Sequence, residues 1–275
     1  MPLLKPENIA ILGAGNIGSS IARGLVDSEQ FKPEQIFLTR RNVDHLSGMK
    51  DLGFRTTNDN VAAVRESGLV VVAVEPQQID GVIIGIRDHL LAERHVLISV
   101  VSGVSIAQIQ RNLKAQVPVV RAMPNTAITL RESMTCLASK GDSTDAIKKA
   151  QAVFNSVGKT LQIDEEQMLA ATALGACGIA FFLRAIRAAS QGGIEVGFHS
   201  DAALTIAAQT AKGAASLLLS RKNHPEAEID RVTTPRGCTI AGLNRMEHEG
   251  FSSAMIKGIL TSAEIAGKLY PDHKD

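Results

Sequence analysis

The chain has 275 residues, 45% of them apolar, enough for one large domain or two modest ones with packed cores of their own. Its 29 basic and 28 acidic side chains leave a formal net charge of +1, so no global field draws it to nucleic acid or to an anionic membrane, and a small-molecule partner is expected. Cys136, Cys177 and Cys238 form no CxxC pair, and Lys5, Pro6, Glu7 and Asn8 interrupt the N-terminus where a secretory signal would be apolar, so reduced thiols and a cytoplasmic location are expected.

In chain order, the first half alternates short β-branched runs with helix-like segments. Residues 9–12, 35–39, 69–74, 95–101 and 117–122 read as strands, apolar at consecutive positions, as strands buried on both faces are. The alternation predicts an α/β fold with a parallel sheet covered by helices. From about Ile163 the β-branched runs stop. Apolar residues then recur at helical spacing through Ala202, Ile206, Ala207, Ala211, Ala214 and Leu218, which predicts an all-helical second domain. Asp164, Glu165 and Glu166 read as a helix start and Gly192-Gly193 as a helix stop, placing the domains at 1–163 and 164–275. The nearly apolar run 169–183, ending at Arg184, falls short of the roughly 20 residues a membrane helix needs and reads as a buried helix. Small residues such as Ala185, Ala188, Ala207, Gly213 and Ala214 suit close helix packing, within one chain or between two.

Directly after the first strand comes Gly13-Ala14-Gly15-Asn16-Ile17-Gly18, a GxGxxG that opens a helix-like run over 19–26. In that context Gly13 permits the tight turn, Gly15 lets a pyrophosphate approach the backbone, and Gly18 lets the helix lie on the strand. The helix N-terminus offers unpaired amides to phosphate. A Rossmann dinucleotide site is therefore expected. About 20 residues further on, where an NAD site carries a carboxylate for the ribose, stand Thr39-Arg40-Arg41-Asn42. A guanidinium pairs with a 2′-phosphate, so NADP(H) is the expected cofactor. Ala73-Val74-Glu75-Pro76, Ser102-Gly103 and Met123-Pro124-Asn125-Thr126 end three further strands at the carboxyl edge, where open α/β sheets bind ligands. Pro124 cannot extend the strand, so Asn125 and Thr126 offer polar groups beside the nicotinamide or substrate.

The glycine motif, the segment from Ala73 to Gln77, Arg121-Ala122-Met123-Pro124-Asn125-Thr126 and the run Thr233-Thr234-Pro235-Arg236-Gly237-Cys238-Thr239-Ile240-Ala241-Gly242-Leu243 together resemble pyrroline-5-carboxylate reductase. Order and spacing match over nearly the whole chain, and the last run is the most specific. The resemblance implies a Rossmann domain followed by an all-helical dimerisation domain, and NADPH-dependent reduction of the cyclic imine 1-pyrroline-5-carboxylate to proline. It also implies active sites formed between the cofactor domain and the helices of a homodimer, with rings of dimers in some members. By position it places Asn60 near the adenosine, Met123 to Thr126 near the nicotinamide, and Thr234, Gly237, Cys238 and Thr239 near the substrate carboxylate. Thr239 is the candidate to relay a proton. A helix-like stretch from Thr239 to Glu249 agrees, because amides at a helix N-terminus hold an anion. No nucleophile and no metal is implied. The chain departs from the family at Glu75, usually Lys, and at Arg236, usually Gly. It departs again at Gly175-Ala176-Cys177-Gly178-Ile179-Ala180-Phe181, where the family has Ser-Gly-Ser-Gly-Pro-Ala-Tyr, and at Lys222, where some members carry an acid. With two hydroxyls and a phenol lost, a reductase of another imino or keto acid and a non-catalytic NADP-binding regulator remain as alternatives.

Overall fold

An eight-stranded sheet organises the first part of the chain in the computed structural model, which describes residues 7–141, 143–221 and 223–269. Its strands are β1 (Ile9–Leu12), β2 (Ile36–Thr39), β3 (Arg55–Thr57), β4 (Leu69–Val72), β5 (Val96–Ser99), β6 (Val119–Met123), β7 (Ser133–Ser139) and β8 (Gly158–Gln162). They lie in the order β3-β2-β1-β4-β5-β6-β7-β8. The interleaved helices are α1 (Asn16–Asp27), α2 (Ser47–Asp51), α3 (Asn60–Arg65), α4 (Ile79–Ile86), α5 (Ile106–Arg111) and α6 (Thr144–Asn155). Every position of β1, β2, β4, β5 and β6 is buried, which explains why their sequences are apolar without alternation. One core packs Ile21 and Leu25 of α1 and Ile147 and Phe154 of α6 against Ile9, Ile11 and Val71. The other packs Val64 of α3, Ile79 and Ile83 of α4 and Ile109 of α5 against Ala10, Leu12 and Val70.

The five expected strands are present, within two residues at their ends, and three more join them. β3 has no apolar residue to announce it: its Arg55 guanidinium instead stacks 4.0 Å from the centre of the Phe37 ring. β7 runs antiparallel to β6 while every other pair is parallel, so the sheet is mixed rather than wholly parallel as expected. The short connection from Met123 to Ser133 leaves no room for a crossover helix, and a return in the opposite direction follows.

The helical part comprises α7 (Met168–Ala171), a π-helical turn over Thr172–Cys177, α8 (Gly178–Glu195), α9 (Ser200–Arg221), α10 (Pro225–Val232), α11 (Cys238–His248) and α12 (Phe251–Ala266). Contacts divide the chain into two units, one formed by residues up to Cys177 together with those from Ser262, the other by Gly178–Thr261. Asp164 opens the helical part as expected, its N–H donating to Gln167 Oε1 at 3.2 Å. Gly192 and Gly193 do not stop a helix: α8 passes through them and ends before Gly197, whose φ of 111° suits a left-handed cap. Gly193 has another reason to be glycine, since a Cβ there would lie 3.1 Å from Ala203 Cβ on α9. The buried helix expected over 169–183 is also corrected. The helical run spans 165–195 and its most apolar window is only 17% buried, while the corresponding window of α9 is 6% buried. By length and composition alone both runs could cross a membrane. Their apolar residues have too few partners inside the chain to be covered.

Candidate active site

The link from β1 to α1 fits a dinucleotide. Gly13 has φ 94°, and a Cβ on it would stand 2.6 Å from the Ala73 carbonyl oxygen. A Cβ on Gly18 would stand 2.7 Å from the Gly13 oxygen, whereas nothing lies within 4 Å of one on Gly15. Two glycines thus let the backbone close on itself and the third leaves open space on the ligand side. Gly15 is the N-cap of α1 and no side chain caps it, so the first-turn amides face that space. A cleft of about 630 Å³ opens here. Of the residues expected at the cofactor it gathers Gly13, Gly15, Arg40, Arg41, Asn60, Ala73, Val74 and Glu75. Arg40, Arg41 and Glu75 are exposed, and the Thr39 hydroxyl donates to Asn60 Oδ1 at 2.6 Å, which fixes the Asn60 amide.

Ala14, Asn16, Ile17, Gly18 and Pro76 are not in its lining; Ala14 and Gly18 are buried beneath the loop they support. Asn42, Asn58, Gln78, Gly81 and Val82 do line the cleft and were not singled out as ligands. Asn58 follows β3, the strand without an apolar signal. Gln78, Gly81 and Val82 come from the turn after Pro76 and the start of α4, which the Glu75-Pro76 ending points toward.

Met123, Pro124 and Asn125 also lie outside this cleft. Met123 and Pro124 are buried, and the Ser102 hydroxyl points at Met123 Sδ from 3.9 Å. The expectation that Asn125 offers polar groups to a ligand meets an amide already engaged. Its Oδ1 accepts from the Ala127 N–H at 3.0 Å, its Nδ2 donates to the Gly175 carbonyl at 3.1 Å, and its own N–H donates to Ser133 Oγ at 3.1 Å. Asn125 therefore shapes the turn, and Thr126 next to it is exposed.

The run from Thr233 to Leu243 forms a tight loop and then α11. The Thr233 hydroxyl donates to the Ile229 carbonyl at 2.7 Å and the Gly237 N–H to the Thr234 carbonyl at 2.9 Å. A Cβ on Gly237 would lie 2.5 Å from Thr234 Oγ1, so a larger residue there would have to displace that hydroxyl. Arg236 adopts the left-handed conformation, φ 62°, that a glycine would hold without strain. The helix begins at Cys238, one residue before the expected start, with Gly237 as N-cap and no side chain over its first amides. Thr239 is half-buried in that first turn and Cys238 is exposed. Within Gly175 to Phe181, residues 175–177 end the π-helical turn and Gly178 opens α8. Lys222 lies outside the described residues.

Burial pulls the Arg121 guanidinium below its ordinary value while Glu165 opposes it, and burial pushes the Cys136 thiol up.

Residues 165–269 match a family described as pyrroline-5-carboxylate reductase dimerisation, and residues 8–103 match one described as NADP oxidoreductase, coenzyme F420-dependent. Pyrroline-5-carboxylate reductase 1 of Dictyostelium discoideum is 52% identical over 279 residues, covering 97% of this chain but only 50% of that protein. Pyrroline-5-carboxylate reductase 2 of the same organism is 49% identical over 278 residues, covering 95% of this chain and 93% of the relative. Among solved structures, a pyrroline-5-carboxylate reductase from Coxiella burnetii superposes with a TM-score of 0.91 at 28% identity, covering 97% of this chain and 100% of that one. The glycine-loop cleft, the free first turn of α11 and these relatives agree: the chain is a Rossmann-type oxidoreductase of the NADP(H)-dependent kind, and it belongs to the pyrroline-5-carboxylate reductase family.

Proposed function

We propose that this chain reduces 1-pyrroline-5-carboxylate to proline, with NADPH as the hydride source. The observation that carries the reading is the 49% identity to a pyrroline-5-carboxylate reductase that the chain spans almost end to end. Residues 1–163 form the cofactor domain in this reading, and 164–275 the helical substrate and dimerisation domain, supported by the family match over 165–269.

The amides opening α1 hold the pyrophosphate, Arg40 and Arg41 pair with the 2′-phosphate, and Asn60 with Ala73 and Val74 borders the adenosine half. Met123 to Asn125 borders the nicotinamide. When bound, the reduced nicotinamide supplies a hydride to the C=N carbon, and the imine nitrogen takes a proton. The first turn of α11 holds the substrate carboxylate through the amides of Cys238 and Thr239 and the Thr239 hydroxyl, with Thr234 and Gly237 closing the loop beneath. Thr239, or a water on it, relays the proton. A protonated imine already carries the positive charge that attracts hydride, so orientation accomplishes most of what the protein must do.

The second half of the reading is assembly. Phe182, Leu183, Leu204 and Leu219 are 61%, 59%, 51% and 81% exposed in the single chain, too much apolar surface for a helical pair to leave in water. A second copy covers it in a homodimer, and dimers build larger rings. The protein acts in the cytoplasm.

The test is NADPH oxidation with pyrroline-5-carboxylate, with open-chain keto acids and with neither. Turnover of the cyclic imine alone is expected. Turnover of keto acids alone would make the altered Gly175 to Phe181 segment the sign of another substrate, and no turnover would leave a binding protein. Within the active enzyme, Thr239→Val removes one donor to a charged group, worth roughly 1.5 to 3 kcal/mol, so kcat/KM for the imine falls by about one to two orders of magnitude. NADPH affinity holds. An unchanged kcat/KM would move the carboxylate site elsewhere.

A further inference from the structure

Glu165 stands at the first turn of the helical run that leads through α7 into the π-helical turn. Its carboxylate is 10% exposed and gathers three elements. Oε1 accepts from the Ile106 N–H at the start of α5 at 2.6 Å and lies 3.5 Å from Nη1 of Arg121 on β6. Oε2 lies 3.3 Å from Nζ of Lys140, just past β7. Arg121 is itself a buried cation, its side chain 7% exposed.

Along β6 side chains alternate, so Arg121 and Met123 share a face. Met123 packs on that face with Met168, Ala171 and Ala176 of the same helical run. Within the π-helical turn of the run, the Gly175 carbonyl accepts from Nδ2 of Asn125 at 3.1 Å. The run is therefore tied at two points, by Glu165 to Arg121 on β6 before Met123 and by Gly175 to Asn125 in the turn after it. A tether at one point alone would let the run slide across the turn.

We propose that Glu165 is a positioning residue for hydride transfer: by anchoring Arg121, α5 and β7 to the start of the helical run, it sets the register in which Met123 and Asn125 are presented to the nicotinamide. This rests on the reading that the turn from Met123 to Asn125 borders that ring. Glu165 touches neither cofactor nor substrate, and its effect passes through Arg121 and the run.

The experiment compares Glu165→Gln with the double variant Glu165→Gln, Arg121→Met, which removes the buried cation together with its partner. The readouts are melting temperature, NADPH Kd by fluorescence titration, and kcat per bound NADPH. A misplacement on the ångström scale costs up to about a hundredfold, so kcat per site is expected to fall roughly ten- to a hundredfold in both variants while Kd for NADPH holds. The double variant recovers melting temperature, because the unpaired buried charge is gone, without recovering kcat. If kcat returns with stability, or never falls per bound site, Glu165 only stabilises the fold and the proposal is overturned. Parallel loss of NADPH affinity overturns it as well. Where the Gln variant does not fold, Glu165→Asp keeps the charge but withdraws it by one methylene, with the same expectation for kcat. The emission of bound NADPH needs no substrate: a changed spectrum in the variants at unchanged Kd supports the register role, and an unchanged one overturns it. A wild-type protein that reduces no cyclic imine would refute the proposed reaction, and the emission would still decide the part played by Glu165.

Discussion

β2 and α9 are both strongly apolar, yet every position of β2 is buried and α9 buries Ala203 alone. The strand is apolar at consecutive positions because helices cover the sheet on both faces; the helix is apolar and small-residued over most of its length, yet its own chain buries little of it. Apolar content says that a segment will be covered, and its period says by what geometry, but neither says whether the cover is intramolecular. In this chain the first unit closes its own core and the second offers surface.

That contrast can be broken most directly by paired truncations. Leu38 on β2 is 0% exposed, and Leu38→Ala is expected to cost about 2 to 5 kcal/mol of unfolding free energy through lost burial and a residual cavity. Leu219 on α9 is 81% exposed, so Leu219→Ala should change stability at high dilution by no more than about 0.5 kcal/mol. Denaturant melts at two protein concentrations, with light scattering, test both. The loss from Leu38→Ala is expected to be the same at both concentrations, while that from Leu219→Ala should grow with concentration as assembly covers the helix, and equal losses for the two at high dilution would mean that α9 has an intramolecular cover after all.

The same contrast explains what could be read from the residues. The five central strands were legible because burial on both faces writes an uninterrupted apolar run. β3 was not, having Arg-Thr-Thr, and β7 and β8 were not, since Ser, Thr, Lys and Gln interrupt them. The cofactor loop was legible residue by residue: each glycine answers a separate steric demand, and each demand is met by a different neighbour. Gly192-Gly193 misled because a helical glycine that admits a neighbouring helix looks the same in sequence as one that ends its own. Asn125 has a structural part that the sequence does not show. A polar residue at a carboxyl edge reads as a ligand group, and only the positions of Ala127, Ser133 and Gly175 reveal that its hydrogen bonds hold the chain together.

Cofactor selection sharpens the comparison from the other side, because it belongs to the first unit alone. Arg40 and Arg41 line the cleft beside Asn42 and Asn60, where the 2′-phosphate would be held. Replacing both by Ala is expected to cost NADPH about 1.5 to 3 kcal/mol, a loss of roughly ten- to a hundredfold in affinity, and to leave NADH nearly unchanged. Assembly should not respond. Equal weakening of both cofactors would mean that the arginines serve the pyrophosphate or the fold of the loop, and a wild-type protein indifferent to the 2′-phosphate would remove the basis for choosing NADPH.

The smallest effect concerns how each unit keeps its charges. In the first, Arg121 and Glu165 are buried together, so their pairing is shielded from salt. In the second, Glu228 on α10 accepts from Asn223 Nδ2 at 2.7 Å, from Arg221 at 3.0 Å and from Arg231 at 2.6 Å, and both arginine side chains are about half exposed. The Asn223 amide, ahead of the two guanidinium groups, holds the Glu228 carboxyl below its ordinary value of 4.5, against the opposing pull of burial. A depressed carboxyl stabilises the folded state fully above its unfolded value, and that contribution disappears as the pH falls through the lower folded value. Stability of the junction between α9 and α10 should therefore decline below pH 4.5, and Glu228→Gln should flatten the decline. Because the arginines are solvated, 1 M salt, with a screening length near 3 Å, should shrink the difference between wild type and variant. The corresponding difference for Glu165→Gln should persist in the same salt. NMR titration of the Glu228 side-chain carboxyl checks the sign: a midpoint at or above 4.5, or a salt response matching that of Glu165, would erase the distinction between a carboxylate with solvated arginine partners and one paired with a buried arginine.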